Sequence, residues 1–224
     1  MAPAGAPVVD APPSGVPIVE PAAPAAPASA PPEVVDRLLD AALALVARWG
    51  VAKTSLADVA KTAGCSRATL HRAFPGGKQH LFRALGVREL DAYVAAVVEA
   101  VDEGETIDEA ATMGVVVAAR LLRDHPAAQF VLEHEPELLI PFLGFHQVDV
   151  LYRHASAAIG PRLERFLPAD RAAWAAEWMA RIFITYLFNP RPEVDLADVA
   201  DVASLLGRHL LPTFTPDLLP TPSR

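Results

Sequence analysis

The chain has 224 residues, of which 52% are hydrophobic, and this composition excludes a disordered protein because it is ample for a buried core in one or two domains. The net charge of −8 argues at first against a nucleic-acid-binding protein, while a single cysteine, Cys65, excludes an internal disulfide and disfavours a thiolate metal site. Hairpin signals (Asn-Gly, Asp-Gly) and alternating β-branched runs are both missing, so we expect an all-α fold.

The start of the chain is rich in proline and alanine. Its first 32 residues contain ten of each but no lysine or arginine. This density of proline prevents a continuous helix, and a secretory signal would begin with basic residues. We therefore expect residues 1–33 to form a disordered tail. The longest uncharged apolar run, residues 182–188, is far shorter than the roughly 20 residues that span a bilayer, so we expect no membrane partner. The single cysteine fits a reducing cytoplasm, where we expect the protein to be.

Charge is unevenly divided along the chain. Residues 34–88 contain nine lysines or arginines against three acids, including all three lysines of the protein, whereas the remainder from Glu89 onward contains ten arginines against twenty-one acids. A basic segment attached to an acidic one suits attraction to phosphates combined with solubility. A merely solvated charged surface is the alternative interpretation.

The basic segment is predicted to contain three short helices. Residues 34–49 have apolar side chains at helical spacing, and Gly50 ends this helix. Ser55, with Asp58 three residues later, has the pattern of a capping box for a helix over residues 56–63. Gly64 is suited to a left-handed turn, and Ser66 is a natural cap for a third helix over residues 67–73.

The second and third of these helices are spaced as in a helix-turn-helix. Ala60 and Val59 are predicted to face Leu70 across the contact, with Gly64 at the turn. The third helix then presents hydrogen-bond donors outward, which suit phosphates and base edges, and we expect Gly64 to orient Arg67 towards DNA. These donors are Arg67, Thr69, His71 and Arg72.

A longer helix is predicted to open at Pro75 and to run through Val101, from the basic segment into the acidic one. Lys78 lies near its start, where the helix dipole disfavours a positive charge, and an external phosphate would relieve this mismatch. Such a shared helix is suited to transmit movement. Further helices are predicted over residues 107–123, 126–133, 137–142, 145–166, 169–188 and 196–210.

The acidic segment has features of a ligand site and of a dimer interface. Bulky apolar residues on helices interrupted by proline or glycine are predicted to line a cavity for an elongated apolar molecule, with His146 or Gln147 as the nearest donor to a carboxylate. The alternative for His146 is a satisfied core histidine, which is the commoner environment for a histidine on an aromatic stretch. The run WAAEWMARIFITYLF is apolar on more than one face, which predicts a homodimer through helices 169–188 and 196–210. The predicted cavity residues are Met113, Val117, Phe130, Phe142, Phe145, His146 and Trp178.

Residues 34–81 resemble the DNA-binding domain of the TetR family of bacterial transcriptional regulators. The positions that match its pattern are Thr54, Ser55, Val59, Ala60, Ala63, Gly64, Ser66, Thr69, Leu70, Phe74 and Lys78. The chain departs from the pattern at Cys65, His71 and Ala73, which puts the usual phosphate contacts at the last two positions in doubt.

The resemblance implies that Thr54, Ser55 and Lys78 contact phosphates and that Arg67, at the start of the third helix, reads bases. The stretch RIFITYLFNP is similar to an actinobacterial subset whose members tend to bind fatty acids or their esters.

Together these observations predict a ligand-responsive repressor that binds palindromic double-stranded DNA as a homodimer and is released by a hydrophobic small-molecule effector. We expect a tail (residues 1–33), a helix-turn-helix DNA-binding domain (34–80), a C-terminal helical ligand-binding and dimerisation domain (81–212) and a second tail (213–224).

The alternative is a helical lipid-binding protein or an enzyme without specific DNA readout, but no catalytic constellation supports an enzyme. The stretch HEPEL lacks the second histidine of a zinc site, so neither a metal nor a cofactor is expected. The predicted DNA contacts are Thr54, Ser55, Ser66, Arg67, Ala68, Thr69, His71, Arg72 and Lys78.

Overall fold

The computed structural model describes residues 30–138 and 148–209. Within these ranges it contains nine α-helices, one short 3-10 turn and no β-strand, which confirms the all-α prediction. Most of the predicted tail (residues 1–29), the C-terminal tail, and the predicted ligand residues Phe142, Phe145 and His146 lie outside the described residues.

The helices succeed one another with short connections. They are α1 (Pro32–Lys53), α2 (Leu56–Thr62), α3 (Arg67–Ala73), α4 (Gly77–Glu103), α5 (Ile107–Arg123), α6 (Pro126–His134), α7 (Val148–Leu163), α8 (Ala169–Phe188) and α9 (Val199–His209), with the 3-10 turn at Pro136–Leu138 between α6 and α7. None of these helices is long and apolar enough to cross a membrane.

Two predicted helix starts are wrong. Helix α1 begins at Pro32, so the last two residues of the expected tail are helical, and proline is well suited to such a first position. Helix α4 begins at Gly77 rather than Pro75. The amide of Gly77 donates to the carbonyl of Phe74 at 2.9 Å, and Gly77 has a left-handed φ of 67°, so Pro75 lies in a turn before the helix.

Two later helices also differ from the prediction. The helix expected over residues 137–142 is, in its described part, the 3-10 turn. Helix α9 begins at Val199 rather than near residue 196, because the carboxylate of Asp198 accepts from the amides of Ala200 and Asp201 and so caps the helix there.

The helices enclose two hydrophobic clusters that share α4. The head consists of α1, α2, α3 and the first half of α4, and its cluster includes the fully buried Leu38 and Leu81. The body consists of the rest of α4 and helices α5, α7, α8 and α9, with the buried Val101 and Leu163 in its cluster. Helix α4 therefore belongs to both cores, as its predicted length indicated. Ala127 of α6 also enters the head cluster, so α6 packs against α1.

Helix α4 is anchored on both sides of the junction. At its end, the guanidinium of Arg165 donates to the carbonyl oxygens of Val101, Asp102 and Gly104, which satisfies carbonyls that lack helical partners. Nearer the head, Arg88 pairs with Asp40 of α1 at 2.7 Å and with Glu89 at 2.8 Å. Burial lowers the pKa of Arg88, but the hydrogen bonds and charges of its two partners outweigh this and raise the pKa overall.

Candidate nucleic-acid interface

Helices α2 and α3 are each started by a serine cap. Ser55 Oγ accepts from the amide of Asp58 at 3.2 Å, and the Ser55 hydroxyl donates to the Asp58 carboxylate. Ser66 Oγ accepts from the amide of Thr69 at 3.0 Å. Both caps confirm the predictions from sequence. The one difference is that the acid of the capping box accepts from the hydroxyl of Ser55, whereas in a standard capping box it accepts from the backbone N–H of the serine.

The turn between α2 and α3 depends on the backbone of Gly64. Its φ is 63°, its amide donates to the carbonyl of Lys61, and the next amide, of Cys65, donates to the carbonyl of Ala60 at 2.9 Å. This is a Schellman termination, which requires a left-handed residue. A Cβ added at Gly64 would meet nothing within 4 Å, so the conformation and not crowding favours glycine here.

Helix α3 separates an apolar from a polar side. Leu70 and Ala73 are buried against the head, together with Val59 and Ala60 of α2, as predicted. The opposite side is accessible, since Arg67, Ala68, His71 and Arg72 are exposed and Thr69 is half-buried. The Thr69 hydroxyl lies 2.9 Å from Ser66 Oγ and accepts from Arg72 at 3.5 Å. The structure therefore brings the predicted α3 residues together on one outer surface; their contacts with DNA stay predictions.

Thr54 does not fit the role that the resemblance implied. Its side chain is fully buried, and its hydroxyl donates to the carbonyl oxygen of Gly50 at 2.6 Å. A side chain in this position cannot reach a phosphate, so the predicted contact is wrong for the Thr54 hydroxyl. The threonine instead closes the end of α1, just before α2.

Ser55 and Lys78 remain accessible. Ser55 is exposed, although its hydroxyl already serves the cap of α2. The ammonium of Lys78 donates to the carbonyl of Ala52 at 3.0 Å and lies 5.6 Å from the ring centroid of Phe82. These contacts within the protein stabilise the positive charge at the start of α4, so an external phosphate is not needed to offset the helix dipole there. Since an ammonium has three donors, a phosphate contact is still compatible with this position.

The predicted ligand residues do not converge in the part of the chain that the structure describes. Met113 and Val117 are half-buried on α5. Phe130 lies against α1, where its Cε1 is 2.6 Å from the position that a Cβ added at Gly50 would occupy. Its ring also stacks on that of His134, with the ring centroids 4.5 Å apart. Trp178 is 40% exposed on α8, beside Trp174 at 5.5 Å. Phe130 therefore packs between α6 and α1 and Trp178 faces outward, and the role predicted for them as cavity walls stays a prediction.

An open cleft of about 590 Å³ lies elsewhere, at the junction of head and body. Leu43 and Ala47 of α1 form part of its apolar lining, and Glu89, Arg120 and His125 contribute polar groups from α4 to α6. No local pattern in the sequence indicates this cleft, because its walls come from segments far apart in the chain. The described residues contain no group of three or more His, Cys, Asp or Glu that could hold a metal ion.

Comparison with known proteins agrees with this geometry. Residues 38–85, which cover most of α1 together with α2, α3 and the start of α4, match the family model described as "Bacterial regulatory proteins, tetR family". A helix-turn-helix-type transcriptional regulator of Mycobacterium tuberculosis, itself described as uncharacterized, is 28% identical over 191 residues, which cover 81% of this chain and 85% of the relative.

Solved structures of similar fold cover most of the chain. The TetR family repressor AlkX from Dietzia sp. strain DQ12-45-1b, described as implicated in biodegradation of n-alkanes, is 23% identical, with a TM-score of 0.58 over 79% of this chain and 95% of AlkX. The fatty acid degradation regulator FadR from Bacillus halodurans is 18% identical, with a TM-score of 0.53 over 79% and 96% of the two chains. The multidrug binding protein EbrR, crystallised with imidazole, is 20% identical, with a TM-score of 0.54 over 86% and 98%.

Proposed function

We propose that the chain, whose residues 38–85 match the model of the TetR family of bacterial regulatory proteins, is a transcriptional repressor that binds a palindromic operator as a homodimer and is released by an elongated apolar effector. The observation that carries the proposal is the exposed basic side of α3 on a head that shares α4 with the body. A ligand that moves the body can then move the two heads of a dimer.

The DNA-binding part of the proposal rests on charge and exposure. Arg67 and Arg72 of α3 are exposed, and so are Lys53 and Lys61 nearby in the head. These cations would attract the phosphate backbone despite the net negative charge of the whole chain, because the acids are concentrated beyond residue 88. Gel-shift titration of DNA from the promoter region of the protein's own gene, with random DNA as competitor, tests this step.

The dimer is supported by apolar surface on α8. Ala172, Ala176 and Met179 on one side of this helix are buried in the body. Trp174 and Trp178, on another side, are 40% exposed each. Two such surfaces brought together by a two-fold axis would remove four indole rings from water and would place two α3 helices on successive half-sites of a palindrome.

The apolar effector is supported by the half-buried Met113 and Val117 and, beyond the described residues, by Phe142 and Phe145. A long acyl chain gains about 0.8 kcal/mol per CH₂ on burial, which can offset the work of shifting α4. The names of two regulators of the same fold, one linked to n-alkane biodegradation and one to fatty acid degradation, agree with this class. An effector acts only if it binds the DNA-free state more tightly than the DNA-bound state.

An operator on the chromosome would place the protein in the cytoplasm.

The effector test is a titration of the protein–DNA complex with fatty acids and their esters of graded length. DNA release should strengthen with length until the chain fills the cavity, and Phe145→Trp should shift this optimum to shorter chains. Leu90→Trp, at an exposed position on α4, is the control. Unchanged DNA affinity at every length would exclude this class of effector, while DNA binding itself would stand.

The alternative of a helical lipid-binding protein without DNA readout predicts the opposite pattern. Such a protein would bind acyl chains but would show the same weak, salt-sensitive affinity for every DNA. The family match of residues 38–85 favours the regulator.

A further inference from the structure

The last turn of α1 is separated from the rest of that helix by a break at Gly50. Gly50 has a φ of 81° and a ψ of 172°, which no helical residue adopts, and the chain then makes one further turn over residues 51–53. Such a break removes the regular helical partners of the amides after it. Glycine also leaves the joint free to rotate unless other groups hold it.

Glu135, at the end of α6, holds this turn. Its carboxylate accepts from the amide of Val51 at 2.7 Å and from the amide of Ala52 at 2.8 Å, across 84 and 83 residues of sequence. The residue is only 7% exposed, at the end of α6. Short hydrogen bonds to an ionised acceptor are among the strong ones, and a buried carboxylate needs such partners.

The same turn is held from inside the head by two further groups. Thr54 Oγ1 donates to the carbonyl of Gly50, and Lys78 Nζ donates to the carbonyl of Ala52. Of these three contacts, the one from Glu135 comes from α6, which lies outside helices α1 to α4. It fixes the turn relative to α6, while the other two fix it relative to α2 and α4.

The turn is directly connected to the DNA-binding helices of the head. Lys53, the last residue of the turn, and Ser55, two residues later, are both exposed, and Ser55 starts α2, which leads into α3. A rotation about Gly50 would therefore move the cations and caps of the head relative to the body.

We propose that Glu135 is a positioning residue for DNA binding: by holding the amides of Val51 and Ala52, its carboxylate sets the orientation in which the head meets its operator. Glu135 touches no DNA in this role. The proposal rests on DNA binding by the family and does not depend on the effector or on the dimer.

The test compares Glu135→Gln with Glu133→Gln. Both changes lie on the same end of α6 and remove one negative charge, but the Glu133 side chain is 68% exposed. The DNA probes are the sequence that the wild-type protein enriches from a random library and a random duplex of equal length. Removal of an acid favours DNA electrostatically, so Glu133→Gln should leave binding to both probes unchanged or slightly stronger.

Glu135→Gln should instead lower affinity for the enriched sequence about tenfold while leaving the random duplex unaffected. A glutamine side chain has only one acceptor oxygen, whereas the backbone N–H groups of Val51 and Ala52 each donate to a separate carboxylate oxygen. Glu135→Ala, which removes both acceptors, should lose at least as much. A purely structural role predicts a different result, in which binding to both probes falls by the same factor, in proportion to the folded fraction that circular dichroism melting gives.

Equal behaviour of Glu135→Gln and Glu133→Gln, or an equal loss on both probes, would overturn the proposal. If the wild-type protein enriches no sequence, both the proposed sequence-specific DNA binding and the positioning role of Glu135 are rejected. If it enriches a sequence but the two variants bind that sequence equally well, only the positioning role is rejected.

Discussion

The ammonium nitrogen of Lys78 lies 3.0 Å from the carbonyl oxygen of Ala52, so the start of α4 is hydrogen-bonded to the last turn of α1. Lys78 is thus an internal contact of the head as well as a predicted phosphate contact. These two roles have different dependences on salt, because only a phosphate contact releases counterions from DNA.

Lys78→Ala is expected to weaken binding to every DNA sequence alike and to lower the slope of log affinity against log salt by about one. Arg153→Ala is the control, because it removes one exposed positive charge from α7 in the body. The measurement is fluorescence anisotropy over a salt series. A weaker affinity with an unchanged slope would leave Lys78 with the internal role alone.

Arg67→Ala is expected to cost about 1–3 kcal/mol of binding to the operator and to relax the preference for one base pair, since Arg67 lies exposed at the first position of α3. Competition between the operator and its single-base variants measures the effect. Arg83→Ala, at an exposed position on α4, controls for lost charge. If Arg67→Ala loses the same factor on operator and random DNA, the residue contacts phosphates and does not read bases.

Thr54→Val should destabilise the head by about 1–3 kcal/mol, because the valine keeps the shape but leaves the buried carbonyl of Gly50 without its hydroxyl donor. Thr54→Ser retains the hydroxyl and should lose much less. Denaturant unfolding gives the stability. Because the hydroxyl is neutral, the readout for DNA is the affinity of the folded protein, which should be unchanged in Thr54→Val for every DNA sequence. A uniform loss of affinity beyond that explained by the folded fraction would instead support the predicted phosphate contact.

Gly64→Ala and Gly50→Ala form a matched pair. At Gly64 a Cβ meets nothing within 4 Å, so the cost should be the left-handed backbone alone, about 1–2 kcal/mol. At Gly50 the backbone is also left-handed, but the Cβ would lie 2.6 Å from Glu135 Oε1 and from Phe130 Cε1, so the loss should be larger. Thermal unfolding of both variants ranks them, and an equal loss would show that the Gly50 joint relaxes without cost.

Trp178→Glu should convert the proposed dimer into a monomer, since a carboxylate would replace an indole at the centre of the exposed side of α8. The monomer should lose affinity for the palindrome but keep its weak affinity for one half-site. Leu90→Glu introduces the same charge at a 46% exposed position on α4 and should stay dimeric. Light scattering at micromolar concentration gives the mass, and a wild-type monomer would remove the basis for this interface.

Local features of the sequence determined the DNA-reading part of this protein. The bounds of α3, α5 and α8 agree with the prediction because each begins at a cap or proline and ends where the helical spacing of apolar residues stops. The caps at Ser55 and Ser66 and the left-handed turn at Gly64 involve groups at most five residues apart. Such interactions are readable from sequence because the chain brings their partners together whatever the rest of the fold does.

Tertiary packing decided what those elements touch. Nothing near Thr54 in sequence indicates that its side chain is buried, and nothing near Glu135 indicates that its carboxylate serves amides more than eighty residues earlier. Trp49 belongs to the apolar stripe of α1 yet is 41% exposed, and Trp178, which is predicted as a cavity residue, is 40% exposed. These outcomes depend on how α6 packs on α1 and how α8 packs on α7, and helical periodicity shows that a helix has an apolar face but not which partner covers it.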